Sequence, residues 1–449
     1  MLYASAEDPA GVVQKASRTA DPCTVRYIHQ MMNLIIFSFC FYILGGSSLE
    51  EKESLLDLLT DKDIWIRFLE HKRRQLESSA EADEIERFIA TQGYLDVLRD
   101  MENGTFPLPH RKMISKMGTR KKRIIYVYPR AHMLVLKLLT YLLLRRYDHL
   151  FSDCLYSFRP SSGAKDAIRK LTRSADISFR YSYKVDISDY FNSVDIDILL
   201  PEVRDILKDD PKLYRFLAGI LLEDNVLVGN EVISEKKGIM AGTPTASFFA
   251  NVYLMGLDEH FERHADAYAR YSDDIIIFAK NEDELRDHIA YIYGFLDMRH
   301  LSVNHDKEEY SKPGGKWTFL GFSYEDGTID ISPVSVDKIK GKMRRKARSL
   351  IRWGARKDID GTKCAKAFIR IFNRKLLMES QDNDLTWSYW YFPVINTDRS
   401  LHEIDRYAQE TIRYIVSGCR NKKRYKVSYD DIKSLGYRSL VNEYYKFGS

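Results

Sequence analysis

The sequence predicts an α+β fold with an antiparallel sheet, flanked by helical N- and C-terminal parts. Between residues 180 and 325, short apolar segments such as YSYKVDIS and DDIIIFA alternate with segments whose apolar residues recur at helical spacing. Residues 49–110 have helical spacing, and from residue 333 the chain is again helical in pattern and rich in basic residues. Strands mixed with helices in one segment, with further helices grouped on either side, are typical of an α+β protein.

The length and composition are those of a globular protein with more than one domain. The 449 residues are enough for two or three domains; 45% of them are hydrophobic and 30% are charged. The net charge of +5 gives little support for a polyanionic partner, so the distribution of the charges is more informative. Five cysteines are scattered without a C-x-x-C pair, which favours reduced thiols and a cytoplasmic location over a disulfide framework.

Residues 1–48 form an N-terminal segment with an ambiguous apolar stretch at 31–46. Its core of about a dozen residues is too short for an ordinary transmembrane helix. A signal peptide is an alternative because Arg26 lies upstream, but no A-x-A-like cleavage site follows. We expect a packed segment without stable membrane association, with membrane attachment as the alternative. Met31 and Met32 are candidates for the natural start, which would place the preceding residues upstream of the protein.

A basic segment follows the helical N-terminal extension at 49–110. Seven basic residues and no acidic residue lie between Arg111 and Arg123, before the strand-like RIIYVYP. The pattern predicts a β-hairpin with Gly118 in its turn.

Two strings that contain acidic residues carry the strongest functional signal. In YARYSDDIIIFAK (268–280), Asp273 and Asp274 precede an apolar strand, and in YKVDISDYFNSVD (183–195), Asp186 ends another one. Burial of a charge is costly unless it is paired or bound to a metal. Carboxylates on a rigid sheet are suitable ligands for Mg²⁺, and two such ions can promote phosphoryl transfer. We therefore predict that YARY and IIIFA are antiparallel strands, and that SDD is a tight turn that directs Asp273 towards Asp186.

These strings resemble the sequence blocks of bacterial reverse transcriptases, a family that includes group II intron, retron and phage-defence enzymes. YSDD fits the Y-x-D-D box of the family, and VDISDYFNSV fits its first catalytic strand. Further blocks match in the same order: GTRKKRIIYVYP, YSFRPSSGAKDAI, AGTPTASFFANVYL, LSVNHDKEEY and FLGFSY. The resemblance implies a right-hand polymerase fold, with fingers and palm at 111–330 and a helical, basic thumb and C-terminal region at 331–449.

The resemblance also implies a metal-dependent catalytic site. Asp186, Asp273 and Asp274 would be catalytic metal ligands, and the backbone carbonyl of Ile187 would add a further ligand. The implied cofactor is a pair of Mg²⁺ ions, for which Mn²⁺ is a possible substitute.

The nucleotide would be bound by residues from several blocks. Lys116 and Arg123 would contact the triphosphate, the arginine through its planar fork of donors. Phe191, five residues after Asp186, would be a steric gate that clashes with a ribose 2′-hydroxyl and so favours dNTPs; Tyr190 is its aromatic competitor.

Four further positions come from the same comparison of blocks. Gly242 would allow close approach of the backbone to template or nucleotide, and Lys307 would lie near the departing pyrophosphate as a general acid. Arg159 would lie near the template, and Gly321 would be the bend of the primer-grip turn. The chain departs from the family pattern before Gly242, where Ala241 replaces a common glutamine, and at Ala246–Ser247, where Ser-Pro is common. Template positioning by a glutamine side chain is therefore not expected.

The expected activity is RNA-directed DNA polymerisation. The resemblance implies an RNA template, dNTPs and a DNA product, and a structured non-coding RNA used in antiphage defence is the expected setting. The basic stretches at 337–357 and 419–426 are candidate nucleic-acid surfaces. Two alternatives stay open: untemplated or protein-primed DNA synthesis by the same site, and a non-catalytic RNA-binding module of the maturase type.

Overall fold

The structure is a computed structural model that describes residues 53–75, 79–115, 122–377 and 387–448. The N-terminal segment 1–48 and Lys116 lie outside the described residues. Residues Glu53–Ser449 form one compact unit.

Four helices make up the described part of the N-terminal extension, as the helical spacing predicts. The indole ring of Trp65 stacks on Tyr94 at a centroid distance of 5.2 Å and meets Phe88 edge-on. The extension packs against the apolar helix α5, Arg130–Arg146. Its helices are α1 (Leu55–Leu58), α2 (Lys62–Gln75), α3 (Ser79–Ala90) and α4 (Tyr94–Glu102).

The strands of the basic segment pair as the predicted antiparallel hairpin, β1 (His110–Ser115) with β2 (Lys122–Val127), from His110↔Val127 to Ser115↔Lys122. Gly118, predicted in the turn, lies outside the described residues. A second hairpin, β4 (Asn225–Val228) and β5 (Glu231–Ser234), extends this sheet in the order β2-β1-β4-β5. The second hairpin is not evident from the sequence blocks.

The central sheet is antiparallel and has the order β6-β7-β3-β8. Strand β7 (Asp274–Ala279) is buried on both faces, between β6 (Ala267–Tyr271) and β3 (Tyr181–Asp186), and β8 (Glu309–Ser311) pairs with the far side of β3. Because side chains alternate along a strand, Ile275 and Ile277 enter one hydrophobic core, whereas Ile276 and Phe278 enter another. The sheet therefore has a core on each side, which holds its strands rigidly.

Helices cover the sheet and connect its strands. The segment PTASFFANVYLMGLDEHFERHA contains two helices, separated at Leu254, where φ is −111° and ψ is 10°. Helix α12 (Glu282–Met298) begins at Asn281, whose side chain accepts a hydrogen bond from the Glu284 N–H. The others are α6 (Ala164–Leu171), α7 (Tyr190–Ser193), α8 (Ile196–Ile206), α9 (Pro211–Leu222), α10 (Ala246–Tyr253) and α11 (Met255–His264).

A small sheet of β9 (Trp317–Phe319), β10 (Phe322–Glu325) and β11 (Thr328–Ile331) precedes the helices of the C-terminal region. Helix α13 (Pro333–Lys357) is capped by Ser332 at its start and is followed by Asp358, which has a φ of 51°. It packs against α14 (Gly361–Leu376) and α16 (Arg399–Ser417). The remaining helices are α15 (Trp387–Tyr391), α17 (Tyr429–Ser434) and α18 (Leu440–Phe447). Of the helices in the described ranges, none has the length and apolar character needed to span a membrane.

Candidate active site

The sheet register brings the acidic residues together at one edge of the central sheet. Asp186 at the end of β3 lies directly opposite Asp274 at the start of β7, so their side chains share one face of the sheet. Tyr271 pairs with Asp274, which leaves Ser272 and Asp273 as a two-residue turn. The predicted hairpin is therefore present, but Asp274 is the first residue of the strand, not the last residue of the turn.

Backbone hydrogen bonds fix the carboxylate turn, which we define as Ser272–Asp273, against β3. The Ile187 N–H donates to the Asp273 carbonyl at 3.2 Å, and the Asn304 N–H donates to the Asp186 carbonyl at 2.8 Å. Ser272 has a φ of 60°, in the left-handed region that few residues other than glycine occupy. The position of Asp273 thus depends on contacts that hold this turn in place.

The three carboxylates repel one another electrostatically. Burial and the charge of Asp186 raise the pKa of Asp273 above its ordinary value. Burial, together with the charges of Asp273 and Asp186, raises the pKa of Asp274 to about 6. Such a cluster favours a bound cation, because a cation would offset both the burial and the repulsion.

Lys307 lies beside the carboxylates, in a short 3₁₀ helix at His305–Lys307. Its Nζ is 2.6 Å from Oδ2 of Asp186, and the Asn304 side chain donates to the same oxygen at 3.3 Å. Asn304 is thus a site residue that the sequence blocks did not single out.

The donor chemistry fits Mg²⁺, a hard ion that prefers oxygen ligands. Within the described ranges, no group of three acidic, histidine or cysteine side chains is arranged to hold a metal ion by itself. A Mg²⁺ site needs no such cage, since one or two carboxylates with substrate phosphates are sufficient. Asp186, Asp273 and Asp274 would hold the ions, and among the described residues the Ile187 carbonyl receives no hydrogen bond that would prevent its participation.

The structure separates the two aromatic candidates for the steric gate. Tyr190 is 1% exposed and its hydroxyl donates to the Ala250 carbonyl at 2.6 Å, so this ring belongs to the core. Phe191 is half-buried and meets Phe158 edge-on at a centroid distance of 6.4 Å. Phe191 is therefore the candidate that can meet a ligand.

Gly242 is required by a close approach to the hairpin of β1 and β2. Its φ is 103°, and a Cβ there would lie 3.1 Å from both the Ile125 Cβ and the Tyr126 carbonyl oxygen. The Tyr126 N–H also donates to the Ala241 carbonyl at 2.8 Å. The tight contact that explains this glycine is with β2, and contact with template or nucleotide stays a prediction.

Arg123 lies on β2 with its side chain exposed. Its contact with a triphosphate stays a prediction. Lys116, its predicted partner, cannot be placed because it lies outside the described residues.

Arg159 is bound within the protein, and its place near the template stays a prediction. Its guanidinium is 8% exposed and donates twice to the Asp148 carboxylate, at 2.8 and 3.2 Å. The remaining donors bind the carbonyls of Asp148, Phe151 and Ser152. All five N–H groups are thus used within the protein, so Arg159 braces the 148–152 segment, and a contact with the template would have to replace one of these bonds.

Gly321 lies in the turn between β9 and β10, where Leu320 and Gly321 have φ values of 50° and 89°. A Cβ at Gly321 would lie 2.8 Å from the Tyr391 hydroxyl oxygen. The turn is therefore packed against the C-terminal helical region, and its role in primer binding stays a prediction.

Sequence reasoning missed a buried ion pair behind the carboxylate turn. Nη2 of Arg270 lies 2.5 Å from Oδ2 of Asp258, and the two side chains are 0% and 1% exposed. The signal was present in the sequence, because an arginine on an apolar strand needs a buried partner, but nothing identified Asp258 as that partner.

Comparison with known proteins assigns a class to the segment that contains this site. Residues 114–324 match a family model described as "Reverse transcriptase (RNA-dependent DNA polymerase)". The match includes the carboxylate turn, both strands that carry the acidic residues and Lys307. This segment is a reverse transcriptase domain, the class of domain that carries RNA-directed DNA polymerase activity.

Other similarities are more distant. The "Putative enzymatic polyprotein" of Cassava vein mosaic virus is 30% identical over 92 residues, which are 20% of this chain and 14% of that protein. Apo telomerase from Candida tropicalis is similar with a TM-score of 0.43 and 13% identity, over 76% of this chain and 65% of that one. A truncated form of it gives a TM-score of 0.42 and 16% identity, over 51% and 55% of the two chains. The chain thus spans less than two thirds of the length of these proteins.

Proposed function

We propose that this protein is an RNA-directed DNA polymerase that adds dNTPs by phosphoryl transfer with two Mg²⁺ ions. The convergence of Asp186, Asp273 and Asp274 at one edge of a rigid sheet, inside a reverse transcriptase domain, is the observation that carries the proposal. Mn²⁺ would be a possible substitute ion.

The chain would supply binding and orientation. Bound Mg²⁺ would stabilise the attacking and leaving oxygens of an in-line displacement. Arg123 would bind the triphosphate, and Phe191 would exclude nucleotides with a 2′-hydroxyl. Lys307, beside Asp186, would donate a proton to the departing pyrophosphate. The basic helix α13 would contact the nucleic-acid backbone.

The substitution Asp273→Asn tests the proposed chemistry. It removes one buried negative charge, so the variant should be as stable as the wild type or more so, while template-dependent DNA synthesis should be abolished. RNA binding should change little because the carboxylate does not attract phosphate. Primer extension, thermal denaturation and RNA binding measure these three properties.

The exposed Asp297→Asn on α12 is a matched control that should keep full activity. Normal DNA synthesis by Asp273→Asn would contradict the assignment of the site.

We further propose a cytoplasmic bacterial enzyme that copies a dedicated structured RNA in antiphage defence. The resemblance of the sequence blocks to those of bacterial reverse transcriptases, a family that includes retron and phage-defence enzymes, supports this proposal. Sequencing of nucleic acids that copurify with the protein should return one predominant structured RNA and complementary DNA. A protective effect against phage should be lost in Asp273→Asn. A heterogeneous set of cellular RNAs, or protection by the inactive variant, would contradict the proposed role.

A further inference from the structure

A buried polar cluster lies directly behind the carboxylate turn. Nε and Nη2 of Arg270 donate to the two carboxylate oxygens of Asp258 at 2.7 and 2.5 Å. The Tyr268 hydroxyl also donates to Asp258, at 2.8 Å. Asp258 comes from α11, so the pair connects this helix to β6 immediately before the turn.

The remaining donors of Arg270 bind the backbone on either side of the cluster. Nη1 donates to the Ser272 carbonyl at 3.1 Å, and Nη2 makes a longer contact with the Asn251 carbonyl at 3.4 Å. The Ser272 contact is with the residue whose φ is 60°. The guanidinium is therefore hydrogen-bonded to the carboxylate turn at Ser272, the residue with the left-handed backbone conformation. Asp258 holds the guanidinium in place.

The strand backbone at Arg270 is also fixed. Its N–H donates to the Cys154 carbonyl, and its carbonyl accepts from the Tyr156 N–H, both at 3.0 Å. On the other side of the turn, the Asp273 carbonyl accepts from Ile187. The backbone of Arg270 is therefore held by hydrogen bonds within the fold, while its guanidinium binds Ser272, the residue that precedes Asp273.

Stability alone gives a weak reason for this ion pair. Replacement of a buried ion pair by apolar residues of similar volume is often neutral or stabilising, because the cost of removing two charges from water no longer applies. The planar guanidinium can bind a carboxylate and a backbone carbonyl at the same time and so fix their relative positions, which an apolar pair cannot do.

We propose that Arg270 is a positioning residue, anchored by Asp258, which holds the Ser272 carbonyl and so orients Asp273 and Asp274 for metal binding. The inference rests on the proposed function of these carboxylates as metal ligands. It adds a second layer of residues on which the metal affinity of the site depends.

Two variants test the proposal. Arg270→Lys keeps a positive charge opposite Asp258, but one ammonium group cannot reproduce the fork that reaches the Ser272 carbonyl. The double variant Arg270→Met with Asp258→Leu removes both charges and keeps similar volume, so it should fold. Each variant should bind Mn²⁺ about 10- to 100-fold more weakly than the wild type, as loss of outer-shell partners typically does.

The measurement is Mn²⁺ binding to the full chain without nucleic acid, by electron paramagnetic resonance or calorimetry, with thermal denaturation in parallel. RNA affinity should stay at the wild-type value, and the Mg²⁺ concentration for half-maximal DNA synthesis should rise. Arg299→Lys is the matched control, because Arg299 makes a similar bidentate pair with Glu202, at 2.9 and 2.5 Å, and binds the Tyr253 carbonyl instead of the turn.

Folded variants with wild-type Mn²⁺ affinity would overturn the positioning role. Equal reductions in Arg299→Lys and Arg270→Lys would also overturn it, since the effect would then reflect general loosening of the domain. A wild-type protein that neither binds Mn²⁺ nor extends a primer would instead contradict the proposed function itself.

Discussion

At the scale of single residues, Phe191 gives the most direct test of substrate choice. Its ring is half-buried beside Phe158, whereas the neighbouring Tyr190 is buried with its hydroxyl bound to Ala250. Phe191→Val should remove the clash with a 2′-hydroxyl and lower the preference for dNTPs over NTPs by about 10-fold or more, since steric discrimination in a pocket is worth about 1–3 kcal/mol. Incorporation of paired dNTPs and NTPs measures the ratio.

Tyr190→Phe is the matched control for the steric gate. It removes only a buried hydroxyl bond, so it should lower stability slightly, by about 1 kcal/mol, without changing the sugar preference. A loss of discrimination in Tyr190→Phe but not in Phe191→Val would reverse the assignment of the gate.

Arg159 leads to the opposite kind of prediction, in which stability changes and RNA binding does not. Arg159→Met leaves the partly buried Asp148 carboxylate and the Phe151 carbonyl without this donor, whereas the Asp148 and Ser152 carbonyls keep hydrogen bonds from the N–H groups of Phe151 and Leu155. We expect a decrease of about 1–3 kcal/mol in the free energy of unfolding and wild-type RNA affinity at temperatures where the variant is folded. Normal stability with much weaker RNA binding would instead support the template role.

At the scale of structural elements, the sequence predicted what is local and missed what depends on distant partners. The strands around Asp186 and Asp274 could be predicted because their apolar runs and acidic ends are contiguous. Arg159 was placed at a template because its block was visible, while its bond to Asp148 was not. Likewise, the pairing of Arg270 with Asp258 depends on the packing of α11 on β6, which the sequence does not indicate. Short motifs therefore predict which acidic side chains lie together better than they predict the contacts that hold those side chains in place.

The turn between β9 and β10 offers a test of how the C-terminal region is attached. Gly321→Ala forces an alanine into a φ of 89° and brings its Cβ to 2.8 Å from the Tyr391 hydroxyl oxygen. The backbone strain should cost about 1–3 kcal/mol, and the clash should add to it. Denaturation of the full chain measures the total.

Gly327→Ala separates the two effects, since Gly327 has a similar φ of 77° but open space around it. Gly321→Ala should be the less stable of the two, and addition of Tyr391→Phe should recover part of the difference. Equal stabilities would show that the contact with Tyr391 imposes no constraint on the turn.

At the scale of the whole molecule, the small net charge conceals a strong separation of charge. The chain carries +5 overall, yet residues 333–377 contain fifteen basic and three acidic residues. Helix α13 contributes exposed Arg344, Arg348 and Arg352 at intervals of four residues, which places them along one side of the helix. Lys340, by contrast, is paired with Glu403. This distribution favours a polyanion that lies along α13.

Replacement of Arg344, Arg348 and Arg352 by glutamine should therefore weaken binding of a primed RNA template without loss of fold, because all three side chains are exposed. Removal of each arginine that binds a phosphate should reduce the slope of log affinity against log salt concentration by about 1. The matched control replaces Lys62, Arg67 and Arg74, three exposed cations of α2, by glutamine. The control changes the net charge by the same amount, so an equal decrease in affinity would assign the effect to overall charge. A decrease confined to the α13 variant would identify this helix as the nucleic-acid surface.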